Sequence, residues 1–247
     1  MRDRTAWLQG GEATCLQPPP EVKRTWRLVL LDPPGSGKGT LAGLLHAALG
    51  ACQLSTGDVF RAAKGRSAPP GSAMAAAQAQ MERGELVTDE TVLNLIRERC
   101  RCLHCRGGFM LDGFPRTLMQ AKAIDALLAT EEIRLDAVIN LELPDAKLIS
   151  RLSGRRVCPQ CKAVYHVVTQ KPRISGCCDE CGGPLMQRPD DHAESVCERL
   201  KAYHSATEPV ADYYRAQGLL VNITADGNPG DILARTLDAL VALGLHV

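Results

Sequence analysis

A chain of 247 residues that is 45% hydrophobic can bury a sizeable core, as one large domain or as a domain with insertions. Its formal net charge of +1 argues against broad nucleic-acid or membrane-surface binding, while leaving room for a locally basic cleft. No apolar stretch approaches the length of a membrane span and the first residues lack the apolar core of a signal peptide, so a cytoplasmic protein is expected.

In chain order, a Pro-rich leader over 1–24 is expected to be flexible. The apolar run Trp26 to Leu31 (WRLVLL) predicts a buried strand, and Leu41 onward (LAGLLHAAL) predicts a helix. Between them lies DPPGSGKGT, a strand-turn-helix context that suits a phosphate-binding loop. Gly35, Gly37 and Gly39 let the backbone curl so that its amides point inward, beside the positive end of the helix that opens near Lys38. Pro34 and Ser36 complete the loop, Lys38 supplies a mobile charge for phosphates, and Thr40 a hydroxyl for magnesium. Asp32 stands where such loops open with Gly. Further buried strands are predicted at 109–114 (FMLDGF), 137–143 (AVINLEL) and 219–224 (LLVNIT), with helical patterns between them. This alternation predicts an α/β fold with a parallel sheet, and no internal repeat is present.

Five of the eleven cysteines lie between Cys158 and Cys181, in a chain that is neither small nor secreted, which favours metal over disulfides. Cys158-Pro-Gln-Cys161 and Cys178-Asp-Glu-Cys181 are separated by sixteen residues, the pattern of a tetrahedral zinc site with four thiolate ligands. Four sulfurs leave no open position, so the zinc would be structural. Cys177 adjoins Cys178, but only Cys178 has the two-residue spacing to Cys181. Cys100, Cys102 and Cys105 are read as partly buried thiols rather than a second metal site, and His166 and His204 as packing or hydrogen-bonding residues.

The loop PPGSGKGT is followed by STGDVFR at 55–61, GELVTDETV at 84–92, GFMLDGFPRTLMQA at 108–121, SGRRVCPQC at 153–161 and QRPDDHAESVCERL at 187–200. Together these blocks resemble the adenylate kinase family, in its long form with a zinc-bearing lid. The resemblance implies a P-loop NTPase-type parallel sheet flanked by helices, with a helical acceptor-nucleotide insertion and a small zinc-ribbon lid. It assigns 25–240 to the kinase domain, 55–84 to the acceptor segment, 154–191 to the lid and 241–247 to a C-terminal tail. The implied activity is transfer of the terminal phosphoryl group of MgATP to AMP, giving two ADP, in purine salvage and adenylate balance.

Such chemistry needs charge compensation and in-line placement more than covalent help, and arginine suits it because its planar fork holds two phosphate oxygens and keeps its charge. By the resemblance, Arg61 and Arg116 hold the AMP phosphate, Arg155, Arg188 and Arg199 close over the polyphosphate, and Arg151 stacks on the ATP adenine. Arg188 and Arg199 also count toward the AMP site, with Gly113 beside them, and Asn228, in the turn 225–229, lies near the ATP adenine. Asp112 would hold magnesium through water, or else serve as a cap, while Asp191 would be a hinge contact or an Arg partner. Thr56 and Gln120 would face the acceptor base and, with Thr117 after Arg116, favour AMP over UMP. No general base is required, because the attacking phosphate oxygen is already ionised. A monomer is expected. Two other readings stay open: a nucleotide-binding sensor whose turnover is impaired by Asp32, and a zinc-ribbon nucleic-acid module fused to an NTPase, which the lack of a basic aromatic face disfavours.

Overall fold

The computed structural model describes residues 4–10, 13–15, 22, 24–63, 68–83 and 87–245. Parts of the expected leader, acceptor segment and tail, namely 1–3, 11–12, 16–21, 23, 64–67, 84–86 and 246–247, lie outside the described residues.

Five parallel strands, β1 (Trp26–Leu31), β2 (Cys52–Ser55), β3 (Gly108–Asp112), β4 (Ala137–Glu142) and β7 (Leu220–Thr224), form one sheet in the order β2-β3-β1-β4-β7. The sheet is apolar on both faces because successive side chains of each strand point opposite ways. In β1, Val29 and Leu31 enter one core with Phe109, Leu111 and Val138, while Leu28 and Leu30 enter the other with Met110, Ala137 and Ile139. Helices α4 (Ala73–Glu82), α5 (Asp89–Arg97), α6 (Leu118–Thr130) and α9 (Glu208–Ala216) cover the first face. The second is covered by α2 (Lys38–Leu49), α7 (Asp145–Ser153), α8 (Ala193–Ala202) and α10 (Pro229–Ala242). The α/β parallel sheet expected from the apolar runs is therefore present.

Three differences from the sequence reading have physical causes. The strand expected over 109–114 is Gly108–Asp112, because Gly113 turns the chain at φ +77° into the cis Phe114–Pro115 bond. Strand β2 gives no strong periodic signal in CQLS, since it is four residues long and lies at the sheet edge. Within the leader expected to be flexible, Thr5–Gln9 forms a short helix, α1, whose Trp7 is 1% exposed in the core beside Val59 and Leu54. A single large aromatic on a five-residue helix carries no periodicity to read, yet its burial is enough to dock the segment.

Between β2 and α4 runs α3 (Thr56–Ala63). The lid holds a two-stranded antiparallel hairpin, β5 (Arg155–Val157) and β6 (Val164–His166), and a buried cluster of only Cys158, Tyr165 and Cys178. Gly154 sits directly under the His166 ring, where a Cβ would lie 2.2 Å from Nε2, so a side chain there would have to displace the imidazole. His166 is indeed a hydrogen-bonding residue: its Nδ1 accepts from the Val168 and Thr169 amides.

Candidate active site

All five strands point their C-terminal ends to one edge of the sheet, where parallel α/β folds gather their ligand-binding loops. The register sets Asp112 beside Leu30 of β1 and Ser55 of β2, so the end of β3 meets both the glycine loop and the root of α3.

The loop from Asp32 to Gly37 leads into α2, which begins at Lys38 with Gly37 as its left-handed cap residue. Gly35 adopts φ +91°, and a Cβ there would come within 2.8 Å of Leu152 Cγ, so α7 braces the loop from behind. Ser36 is buried, while Gly39 and Thr40 are exposed on the first turn of α2, where backbone amides lack partners within the helix. Lys38 is held between two carboxylates: it forms a close ion pair with Asp32 and a second with Asp112 at 3.0 Å. Asp32 also accepts from Ser36 Oγ at 2.7 Å, so its side chain turns into the loop. Burial alone would push the Lys38 ammonium down, but Asp32 and Asp112 more than offset this and hold it above the ordinary lysine value. Burial would likewise raise Asp112, yet Lys38 and the Gln53 amide, which donates at 2.6 Å, bring it below the usual carboxylate range.

The arginines converge on this edge from several elements. Arg116 follows the β3 turn, its Nε donating to Gly113 O at 2.8 Å, and lies close enough to Lys38 to repel it. Thr56 is buried at the start of α3 and donates to Gly113 O at 3.3 Å, so Gly113 joins the two segments. Arg61, one α3 turn further on, pairs closely with Asp58. In the lid root, Arg155 makes a two-pronged contact with Asp191 at 2.8 and 2.5 Å, and Asp191 is 0% exposed. Asp191 is thus an Arg partner. The Arg188 guanidinium makes no hydrogen bond or ion pair among the described residues, and burial together with the nearby Arg155 pushes it down from the ordinary arginine value; Asp190 and Asp191 oppose the shift, and Arg61 adds weakly to the repulsion. Arg199 reaches Asp190, donating to both its backbone and carboxylate oxygens at 3.0 Å. Arg151 donates to Ser36 O at 3.3 Å, which puts it over the glycine loop.

Two of the expected base-facing residues are engaged within the protein. Gln120 is 6% exposed; its Oε1 accepts from the Arg116 amide at 2.7 Å and its Nε2 donates to Asp89 at 2.6 Å. Asn228 caps α10, accepting from the Asp231 amide at 3.0 Å. Thr117 caps α6 and donates to Asp89 at 2.8 Å. Asp89 and Gln53 were missed from sequence. Both act through other side chains, and no spacing between 53 and 112, or 89 and 120, announces such pairs.

In the lid, the sulfurs of Cys158, Cys161, Cys178 and Cys181 lie within 4.8 Å of one another, and the pairs Cys158–Cys181 and Cys161–Cys178 are at 3.4 Å. A tetrahedral zinc with bonds of about 2.3 Å needs sulfurs roughly 3.8 Å apart, so the four fit that ion. Burial would raise the Cys178 thiol, but the Tyr165 hydroxyl and the amides of the Cys178 knuckle bring it down to about 6, while its neighbour Cys161 is pushed up to about 12 by burial and by the sulfurs around it, so the pair shares its protons unevenly. Cys177 instead points its thiol at Gly182 O. Among the described residues no other group of three or more His, Cys, Asp or Glu gathers in this way, Cys100, Cys102 and Cys105 included. Nor is any described helix long and apolar enough to cross a membrane.

A parallel sheet ending in a glycine loop and a lysine, with arginines gathered at the same edge, defines a P-loop phosphate-handling protein. A profile described as adenylate kinase matches residues 30–219. An adenylate kinase of Streptomyces griseus is 46% identical over 217 residues, covering 87% of this chain and 98% of the relative. Those of Carboxydothermus hydrogenoformans and Desulforamulus reducens are each 47% identical, with 87% of this chain and 99% of the relative covered. The chain belongs to the adenylate kinase family, a family of nucleoside monophosphate phosphotransferases.

Proposed function

We propose that the chain transfers the terminal phosphoryl group of MgATP to AMP, giving two ADP, with ATP entering over the glycine loop and AMP between α3 and the β3 turn. The observation that carries this reading is the cluster of like charges across the cleft. Arg188 on the lid lies near enough to Arg155, and more weakly to Arg61 on the acceptor arm, to be repelled by both; Asp190 and Asp191 offset part of this, and its guanidinium makes no hydrogen bond or ion pair among the described residues. A polyphosphate bound between them would relieve the remaining repulsion.

In this reading the amides at the start of α2 cradle the donor phosphates with Pro34, Gly35, Ser36, Gly37 and Gly39 shaping the loop, and Lys38 leaves its carboxylates to follow the transferring group. Arg116 and Arg61 orient the acceptor phosphate, Arg155, Arg188 and Arg199 compensate the charge of the chain being transferred, and Arg151 covers the donor base. Thr40 and Asp112 would hold magnesium, the latter through water; the ion supplies charge neutralisation on the donor phosphates. Thr56 and the second amide hydrogen of Gln120 read the acceptor adenine, and the turn holding Asn228 contacts the donor adenine through its backbone. The four lid cysteines hold a structural zinc. Closure of both arms would exclude water that otherwise hydrolyses ATP.

The test is ADP formation from ATP, magnesium and AMP, run against UMP, CMP and GMP. AMP should lead UMP and CMP by roughly tenfold or more in kcat/KM; comparable efficiency with UMP would remove the base assignment. A second reading has one specific observation behind it. Because Asp32 pairs with Lys38, the protein could bind nucleotides while turning them over poorly. ATP and AMP binding without ADP formation would establish that reading.

A further inference from the structure

We propose that α1 is a working part of the acceptor arm, with Arg4 and Trp7 as positioning residues that set the grip of Arg61 on the acceptor phosphate. The inference rests on the assignment of α3 to acceptor binding made above. Helix α1 lies outside residues 30–219 that match the family profile, so nothing in that match speaks to it.

Strand β2 is an edge strand, and an edge leaves every second carbonyl without a partner strand. Those of Gln53 and Ser55 are met by α1 side chains instead. Arg4 Nη1 donates to Gln53 O at 3.4 Å, and the Trp7 indole donates to Ser55 O at 3.0 Å. Ser55 is also the residue at which β2 becomes α3, and its hydroxyl accepts from the Asp58 amide. The clamp therefore acts at the root of the acceptor arm.

From its other side, α1 is held by a buried cation. Arg99, 3% exposed at the end of α5, donates through Nε to Trp7 O at 2.7 Å and through Nη1 to Leu95 O at 3.0 Å. Gly10 ends α1 at φ +71°, and a Cβ there would lie 2.7 Å from the Arg99 guanidinium carbon. A buried guanidinium satisfied by a segment's backbone is a costly arrangement unless that segment is permanently seated.

The functional link is Asp58. One of its carboxylate oxygens pairs with Arg4 at 3.0 Å and the other with Arg61, whose side chain is otherwise 64% exposed. A carboxylate shared between two guanidiniums holds each less firmly than it would hold one. Arg4 thus draws Asp58 back and leaves Arg61 available to phosphate. Without Arg4, Asp58 competes with the acceptor for Arg61.

The experiment measures steady-state kinetics, AMP affinity by calorimetry and thermal stability on the full-length wild type and on Arg4→Ala, Arg4→Lys and Arg4→Ala/Asp58→Asn. Arg4→Ala should weaken AMP, in both KM and Kd, by about three- to tenfold, with kcat and the KM for ATP within about twofold. Arg4→Lys should recover part of the loss, and the double variant should return AMP affinity close to wild type. An unchanged AMP affinity in Arg4→Ala, or a double variant as weak as Arg4→Ala, overturns the inference and leaves the kinase reading standing. A role limited to stability would lower the melting temperature without moving AMP against ATP, and that too overturns it. Should Arg4→Ala not fold, Trp7→Phe, which keeps an aromatic ring in the pocket and deletes the indole donor to Ser55 O, must weaken AMP in preference to ATP. A wild type that binds no AMP defeats the kinase reading itself and this inference with it.

Discussion

The two segments proposed to close over the nucleotide, the acceptor arm and the lid, are held in opposite ways. The lid has a buried cluster of three residues, Cys158, Tyr165 and Cys178, and beyond its hairpin is drawn together by four sulfurs. The acceptor arm has no such ligands. Val59, Ala73, Met74 and Ala77 join the main core of the sheet, and Trp7 is inserted beside them. A segment that projects from a domain cannot bury enough apolar surface to order itself, so it needs a cross-link, whereas one lying along a sheet edge can borrow the domain's core. Two arms serving one cleft thus differ in what will undo them.

Removing the metal should therefore separate them most sharply. Chelation, or Cys178→Ser, is expected to abolish about one zinc per chain, a loss worth of the order of 10 kcal/mol in small zinc domains. Limited proteolysis should then cut within 154–191 and spare 56–83, with AMP affinity changing far less than thermal stability. Cys177→Ser should keep its zinc, since that thiol faces Gly182 O. Metal analysis on the two variants checks this, and the opposite outcome would exchange their roles.

Next in size, Trp7→Ala should destabilise the acceptor side by about 3–5 kcal/mol, the usual loss for a fully buried large aromatic. Hydrogen exchange should rise in β2 and α3 and stay unaltered in the lid hairpin. Equal loosening of both arms would mean that they share their support after all.

A smaller effect should touch neither arm. Asp32 belongs to the loop between them and forms an ion pair with Lys38, which in the proposed function holds that cation away from phosphate. Asp32→Gly is expected to tighten ATP by a few-fold to roughly a hundredfold, about 1 to 3 kcal/mol for a misplaced charged hydrogen bond, with AMP affinity barely changed. Unaltered ATP binding and turnover would show the residue to be tolerated; restoration of turnover to an inactive natural protein would favour the sensor reading.

The smallest effect concerns His204, in the π-helical turn Tyr203–Thr207. Hydrogen bonding to Glu208, and then to Asp145, raises it above the ordinary histidine value despite some burial. A raised folded-state pKa contributes stability that is complete below about pH 6.5 and lost as pH rises through the folded value. With the side chain 44% exposed, His204→Ala should cost less than about 1 kcal/mol near pH 5.5 and nothing near pH 9, as read by chemical denaturation.

Much of the site was legible because its residues are local in sequence. The glycines and Lys38 fall within a few positions of one another, and the paired Cys-x-x-Cys units state their geometry by spacing alone. Gln120 was harder. A glutamine beside an arginine reads as a base-recognising amide, yet burial satisfies much of it with Asp89 and the Arg116 backbone. Helix α1 was harder still: neither Trp7 nor Arg4 lies in a periodic pattern, and the proline run after them argues for a loose leader.

By itself the sequence determined the parallel sheet, through apolar runs that must be buried on both faces, and the phosphate loop and lid sulfurs, whose chemistry depends on near neighbours in the chain. Only the tertiary structure decided where charges far apart in sequence would rest. It brought Asp112 onto Lys38, set Arg188 near both Arg155 and Arg61, and seated α1 on the open edge of β2 with Arg4 on Asp58. Such pairings follow from sheet order and register, which bring residues far apart in the chain, such as Gln53 and Asp112, within a hydrogen bond's reach, and no local pattern encodes that distance.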